Sequence, residues 1–201
     1  IGLSAHAVEM LQSTRTQSII IATGPGNNAG DGFALARHLH NLGYSPTIVL
    51  TAPPEKITAD AKINLDIISM MNIPMIEAEQ YLKETTSTPG LIVDALFGTG
   101  LTRPVTSIAA TLINHINFCK QAGTQVLAVD VPSGLDAQTG KPLSDAVIHA
   151  TRTVTFAALK DGYRNIEAQP YLSEVHIAPI GIPTQLLDQL ATKVHPPQDR
   201  T

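Results

Sequence analysis

Short apolar runs rich in β-branched residues alternate with segments of helical periodicity along most of this chain, and that alternation limits it to few folds. A run that is apolar at every position has to be buried on both faces, which fits a parallel strand inside a sheet. Parallel neighbours cannot be joined by a tight turn, so each connection crosses over, usually through a helix. Ser18–Ala22, Pro46–Thr51, Leu91–Asp94 and Gln125–Val131 read as such strands, with Pro74–Ile76, Thr151–Ala157 and Glu174–Ala178 as further ones. Between them, Asp31–Leu42, Thr58–Met71 and Ser107–Ala122 carry helical spacing. Gly43 and Gly123 stand just past two of these segments, where helices commonly stop. A last helix is expected over Pro183–Leu190. The pattern predicts an α/β fold with a mainly parallel central sheet covered on both faces.

Of the 201 residues, 43% are hydrophobic, enough for one sizeable core, and only 15% are charged, which argues against disorder. A formal net charge of −4 gives no electrostatic footprint for nucleic acid. Cys119 is the only cysteine, so no intrachain disulfide can form. It lies in the apolar helical pattern Ile108–Cys119 and reads as a small buried residue. No stretch approaches the roughly 20 apolar residues of a membrane-spanning helix, and no basic-then-apolar leader opens the chain. A soluble, cytoplasmic protein without a membrane partner is expected. Residues 1–194 read as one domain, and the polar stretch 195–201, with its two prolines, as a frayed tail or the start of a linker.

Open α/β sheets bind ligands beyond the carboxyl ends of their strands, so the segments that follow the strands carry the functional reading. Three stand out, at positions 24–32, 94–104 and 130–136. The first reads Gly24-Pro25-Gly26-Asn27-Asn28-Ala29-Gly30-Asp31-Gly32 and formally satisfies G-x-G-x-x-G/A through Gly24, Gly26 and Ala29. A dinucleotide-binding dehydrogenase would add an acidic residue about 20 positions on, at the end of the second strand. Thr51 and Ala52 stand there instead, and the nearest acid, Glu55, lies beyond two prolines. The Asn27–Asn28 pair can accept and donate hydrogen bonds and tolerates left-handed turn geometry. Asp31 is expected to open the following helix, either as a plain N-terminal cap or as a ligand contact.

In the second segment Asp94 closes an apolar strand. Gly98, Thr99 and Gly100 can present backbone N–H groups to phosphate oxygens. Arg103 suits either a charge-assisted phosphate contact or a solvated surface position. In the third, Asp130 ends a strand and Ser133 follows in a tight turn. A hydrolase nucleophile elbow would need glycine where Val131 stands, so Ser133 reads as an oxygen ligand or a turn residue. The three segments together supply carboxylates, an amide and a hydroxyl. These are hard oxygen donors, suited to a hard cation rather than to zinc or copper. Histidines such as His38, His40 and His149 show no metal-ligand spacing. Lys160 follows a strand pattern and reads as a surface or helix-capping lysine, with a reach into the site as the alternative.

The strings GPGNNAGDG, VDALFGTGL, AVDVPSGLDAQTG and TVTFAALKDG occur in that order and closely resemble the YjeF N-terminal domain family, the NAD(P)H-hydrate epimerases, over roughly residues 15 to 190. The resemblance implies a Rossmann-like three-layer αβα sandwich, usually a homodimer. It implies as substrate the 6-hydroxy hydrate of NADH or NADPH, whose R and S epimers are interconverted. A partner dehydratase acting only on the S form, often fused to the family domain, can then repair both. By the same resemblance Asn27, Asn28, Ala29, Gly30 and Asp31 contact the substrate. Gly98, Thr99, Gly100, Leu101, Thr102, Arg103 and Pro104 hold its phosphates, and Asp130 also contacts it. Asn28, Asp94 and Ser133 would coordinate one potassium ion per subunit. Asp130 is the candidate catalytic acid/base, because it ends a strand and is not needed as a cation ligand.

Two positions depart from the family pattern. Ala29 replaces a usual glycine, which is tolerable where the residue keeps a negative φ. The family's N-terminal helix carries a Met-Glu-Asn-Ala-Gly-like segment that is not evident in Ile1–Gln12, so a start inside a longer native protein is expected. A non-catalytic nucleotide-binding or scaffold module of the same fold is the alternative. The joint presence of Asn27, Asn28, Asp31, Asp94, Asp130 and Ser133 favours the enzyme.

Overall fold

The computed structural model describes residues 2–14, 16–85, 87–183 and 185–186. Seven strands form one sheet: β1 (Ile19–Thr23), β2 (Pro46–Leu50), β3 (Met75–Glu77), β4 (Leu91–Ala95), β5 (Gln125–Val129), β6 (Arg152–Phe156) and β7 (Glu174–Ala178). Every neighbouring pair is parallel, and the order is β3-β2-β1-β4-β5-β6-β7. The chain therefore winds outward from β1 to one edge, returns to β4 beside β1, and winds outward to the other edge. The reversal between β1 and β4 is where such sheets open a crevice.

The helices are α1 (Gly2–Gln12), α2 (Asn27–Asn41), α3 (Ala59–Met70), α4 (Ala78–Glu84), α5 (Ser107–Gln121) and α6 (Gln169–Leu172). Successive strand residues point to opposite faces and so feed two cores. Ile19, Ile21, Leu91 and Val93 pack with Leu11, Phe33, Leu39 and Leu65 of α1, α2 and α3. Ala22, Ile92, Val126 and Ala128 pack with Leu112, Ile113 and Ile116 of α5 and Tyr81 of α4. This is the expected three-layer arrangement. Cys119 is buried on the second face, as its apolar helical setting implies.

Several boundaries differ from the sequence reading. α2 begins at Asn27, four residues before Asp31, with Gly26 as its cap. Asparagine and glycine are weak helix formers, so propensity marks 27–30 as loop, and packing overrides it. Ala29 is fully buried in the first core and stands in the helix, outside the left-handed region, so the methyl is accommodated. Gly32 lies so close to β4 that a Cβ would stand 2.7 Å from the Ala95 Cβ. β5 stops at Val129, two residues early, because Asp130 turns to φ 66°. α1 does form over Gly2–Gln12, burying Leu3, Ala7, Met10 and Leu11 at helical spacing. α4 and α6 are too short for periodicity to reveal. The tail 195–201 and most of the expected helix Pro183–Leu190 lie outside the described residues. No helix of the described residues is long and apolar enough to cross a membrane.

Candidate active site

β1, β4 and β5 end side by side at the reversal point, and the three segments singled out in the sequence meet there. Gly24 packs against the second segment so tightly that a Cβ would lie 2.1 Å from the Leu96 carbonyl oxygen. Above this junction lies an open cleft of about 1300 Å³, lined by residues 25–28, Asp31, Thr58, residues 96–106 and Asp130. Asn27 is tied across its mouth, since the Thr58 hydroxyl donates to Asn27 Oδ1 at 2.8 Å.

A second set of polar groups lies below the cleft. Asp94 is fully buried. Its Oδ1 accepts from Ser133 Oγ at 2.6 Å and from the Leu96 N–H at 3.2 Å, and its Oδ2 accepts from the Ser133 N–H at 2.8 Å. Ser133 Oγ in turn accepts from the Phe97 N–H at 2.9 Å. Burial pushes the Asp94 carboxyl up to about 6, with the Ser133 and Leu96 donors pulling the other way. The turn holding Ser133 depends on Gly134 at φ 95°, where a Cβ would meet the Ala146 carbonyl oxygen at 2.2 Å. Asn28 is also buried. Its amide donates to the Val129 carbonyl at 3.2 Å, and Oδ1 lies against Gly98. The chain thus gathers a carboxylate, a hydroxyl and an amide oxygen beneath the cleft, a donor set that fits a hard cation. Among the described residues no three His, Cys, Asp or Glu side chains converge as metal ligands.

Asp130 stands at the cleft end of β5. It is the centre of a tight turn in which the Val131 N–H donates to the Val129 carbonyl at 2.8 Å. A left-handed φ on a non-glycine residue costs of order 1–3 kcal/mol and persists where its surroundings fix it. Here the Asp130 N–H donates to Val154 O at 2.8 Å, and the Tyr163 hydroxyl donates to the Asp130 carbonyl. The side chain is held as firmly. Thr155 Oγ1 at 3.0 Å, the Phe156 N–H at 3.1 Å and Lys160 Nζ at 2.7 Å all converge on Oδ1. Oδ2 has no donor among the described residues.

For Lys160 the structure takes the alternative sequence reading, a reach into the site, over a surface or capping place. Ala157 turns the chain at φ 65° just after β6, and Lys160 folds back to donate to Phe156 O at 3.1 Å as well as to pair with Asp130. Its side chain is only 18% exposed, so it is neither a surface lysine nor spent on capping. The sequence signal was its place in TVTFAALKDG. The partner was hidden, because residues 130 and 160 meet only through the β5–β6 pairing.

Asp31 lies in the second turn of α2 and does not cap it, contrary to the expected helix start. Asp31 is exposed at the open side of the cleft; partial desolvation by the cleft walls pushes its carboxyl up to about 6, and the nearby Asp130 charge adds to the shift. Residues 98–104 form the opposite rim. The Leu101 N–H closes a turn onto Gly98 O at 3.2 Å, and Thr99, Gly100, Thr102, Arg103 and Pro104 are exposed. Arg103 forms no ion pair among the described residues. The expected residues therefore divide: Asn27, Asp31, Asp130 and 98–104 face the cleft, Asp94 and Ser133 sit beneath it, and Asn28 belongs to both. Ala29 and Gly30 are buried in α2 and do not line the cleft.

The family described as YjeF-related protein N-terminus matches residues 1–162. A protein of Pirellula staleyi named NAD(P)H-hydrate epimerase is 33% identical over 193 residues, covering 92% of this chain and 82% of the relative. One of the same name from Levilactobacillus brevis is 39% identical over 167 residues, covering 83% and 74%. The bifunctional NAD(P)H-hydrate repair enzyme Nnr of Moorella thermoacetica is 39% identical over 174 residues, covering 84% of this chain and 32% of the relative, so the chain spans about a third of that longer protein. The fold matches the crystal structure of a yeast protein at TM-score 0.77 and 24% identity, over 95% of this chain and 81% of the other. The chain belongs to the YjeF-related N-terminal family.

Proposed function

We propose that this chain is an isomerase that interconverts the R and S epimers of hydrated NADH and NADPH. The observation that carries the reading is the convergence of a fixed carboxylate, a free carboxyl and a glycine-rich rim on one cleft, in a family whose relatives are named for this reaction. The rim 98–104, with Arg103, is assigned to the phosphates, and Asn27, Asn28 and Asp31 to the hydrated ring side. Ala29 and Gly30 act through backbone position.

Inverting the hydroxyl-bearing carbon requires its C–O bond to break and re-form. The ring nitrogen lone pair assists departure and leaves an iminium-like cation, to which water returns on either face. Asp130 is the acid/base group. Its Oδ1 is locked by three donors, which leaves Oδ2 for the substrate, and its carboxylate would stabilise the developing cation. Potassium is the proposed cofactor, held by Asn28 Oδ1, Asp94 and Ser133 Oγ, where it would supply positive charge against the buried Asp94 carboxylate.

The functional partner is a dehydratase specific for the S epimer, in keeping with the fused repair enzymes among the relatives. A homodimer and a cytoplasmic site of action complete the reading. β7 extends the same sheet past residue 162, which supports a domain that runs beyond the family match; we place its boundary at 194. The test is a coupled assay: purified R hydrate is given to an S-specific dehydratase with and without this chain. Repair of the R form should quicken when the chain is added. An unchanged rate, from a chain that still binds the hydrate, would favour a non-catalytic binding module.

A further inference from the structure

We propose that Asp31 is a second catalytic residue of the cleft, the acid that protonates the departing hydroxyl while Asp130 receives the proton of the incoming water. This inference rests on the epimerase reading above.

Three observations carry it. Asp31 and Asp130 line the same cleft from different elements, α2 and the end of β5. Their surroundings are opposite: Asp130 Oδ1 takes three donors including the Lys160 cation, whereas Asp31 has no donor among the described residues. A carboxylate so held is suited to accept a proton, and one without donors beside another carboxylate is suited to carry one. The third is what Asp31 does not do. Its sequence position reads as a helix cap, but the cap is Gly26, and Asp31 stands a turn further in with no structural task of that kind. Its carboxyl, pushed up to about 6 by the cleft walls and by Asp130, keeps part of its protons near neutral pH.

The steps balance without oxidant or reductant. The C–O bond breaks with its electron pair leaving on oxygen, which takes the Asp31 proton and departs as water. The ring nitrogen lone pair forms the C=N bond. A water oxygen then bonds to the same carbon from the other side, the C=N pair returns to nitrogen, and Asp130 takes the released proton. Exchange with solvent through the open side of the cleft restores both groups, and the reverse epimerisation exchanges their roles. The charged group that acts on Asp31 is Asp130, itself paired with Lys160, and the other charged residue lining the cleft is Arg103 on the rim.

The test compares Asp31→Asn and Asp31→Glu with the unaltered chain. Epimerisation of R hydrate is followed by chromatography from about pH 5 to about pH 9, with the spontaneous rate subtracted and hydrate binding measured separately. Asp31→Asn should lower kcat about 100-fold while hydrate binding stays within about threefold, and the fall of kcat at high pH should disappear. Asp31→Glu should restore part of kcat, with that fall moved along the pH axis. The inference is overturned if Asp31→Asn changes only KM, or keeps both kcat and its high-pH fall. No acceleration by the unaltered chain would overturn the epimerase reading itself, and this inference with it.

Discussion

The polar cluster beneath the cleft and the pair of carboxylates within the cleft, Asp130 at the end of β5 and Asp31 in α2, lie close together yet treat charge differently. Asp94 and Asp31 are both pushed up to about 6. Asp94 reaches that state fully buried and saturated with hydrogen bonds from Ser133 and Leu96, so its surroundings are committed to holding it still. Asp31 reaches it in an open cleft with no donor among the described residues. The lesson is that a shifted carboxyl is not in itself a catalytic signal. Saturated and buried, it is a structural or ligand-holding group. Unsaturated and reachable, it is available for proton transfer.

If that division is right, variants of the two regions should separate stability from turnover. The largest effect is expected at Asp130. Asp130→Asn removes the proton acceptor and should slow epimerisation by roughly 10²–10⁴-fold with the far-UV spectrum unchanged. Near-normal turnover would remove Asp130 from the catalytic role. Next comes Asp94→Ala, which leaves the Ser133 and Leu96 N–H groups buried without their acceptor. It should cost about 2–4 kcal/mol, read as a lower denaturation midpoint, and weaken any potassium dependence. A small stability change would break the comparison on its buried side.

Lys160→Met sharpens the comparison, because it loosens Asp130 without touching the cluster below. We expect kcat to fall about tenfold with hydrate binding little changed, since Lys160 holds Asp130 Oδ1 in place at 2.7 Å. An unchanged kcat would reduce Lys160 to a packing residue.

The smallest effect concerns Asp31 and stability. Its folded-state carboxyl ionises near 6 rather than 3.8, so the folded chain holds that proton more tightly than the unfolded one. The stability this contributes is full below about pH 4 and lost as pH rises through about 6. Asp31→Asn should therefore match the parent at about pH 4. At about pH 7.5 it should exceed the parent by roughly 1 kcal/mol once solvent screening is allowed for. Equal thermal midpoints at both pH values would contradict the crowding of Asp31.

Much of this was legible in the sequence. Apolar runs marked the buried strands because parallel strands are covered on both faces, and the segments after β1, β4 and β5 followed from that layout. Asp94 and Asp130 stood out as acids closing apolar runs. What could not be read was contact between distant residues. Lys160 meets Asp130 only because β5 and β6 pair and Ala157 turns the chain back. The start of α2 was misplaced because Asn27–Gly30 have loop-forming composition, while burial of Ala29 and the tight approach of Gly32 to β4 make them helix. That shift matters for function, since it moves Asp31 from a capping position into the cleft wall.

The most direct test of the account is epimerisation of purified R hydrate by the unaltered chain, measured against the spontaneous rate in potassium and again with potassium replaced by a large organic cation. The account predicts a clear acceleration that weakens when potassium is withdrawn. A folded chain that binds the hydrate and leaves the spontaneous rate unchanged in both media would contradict it.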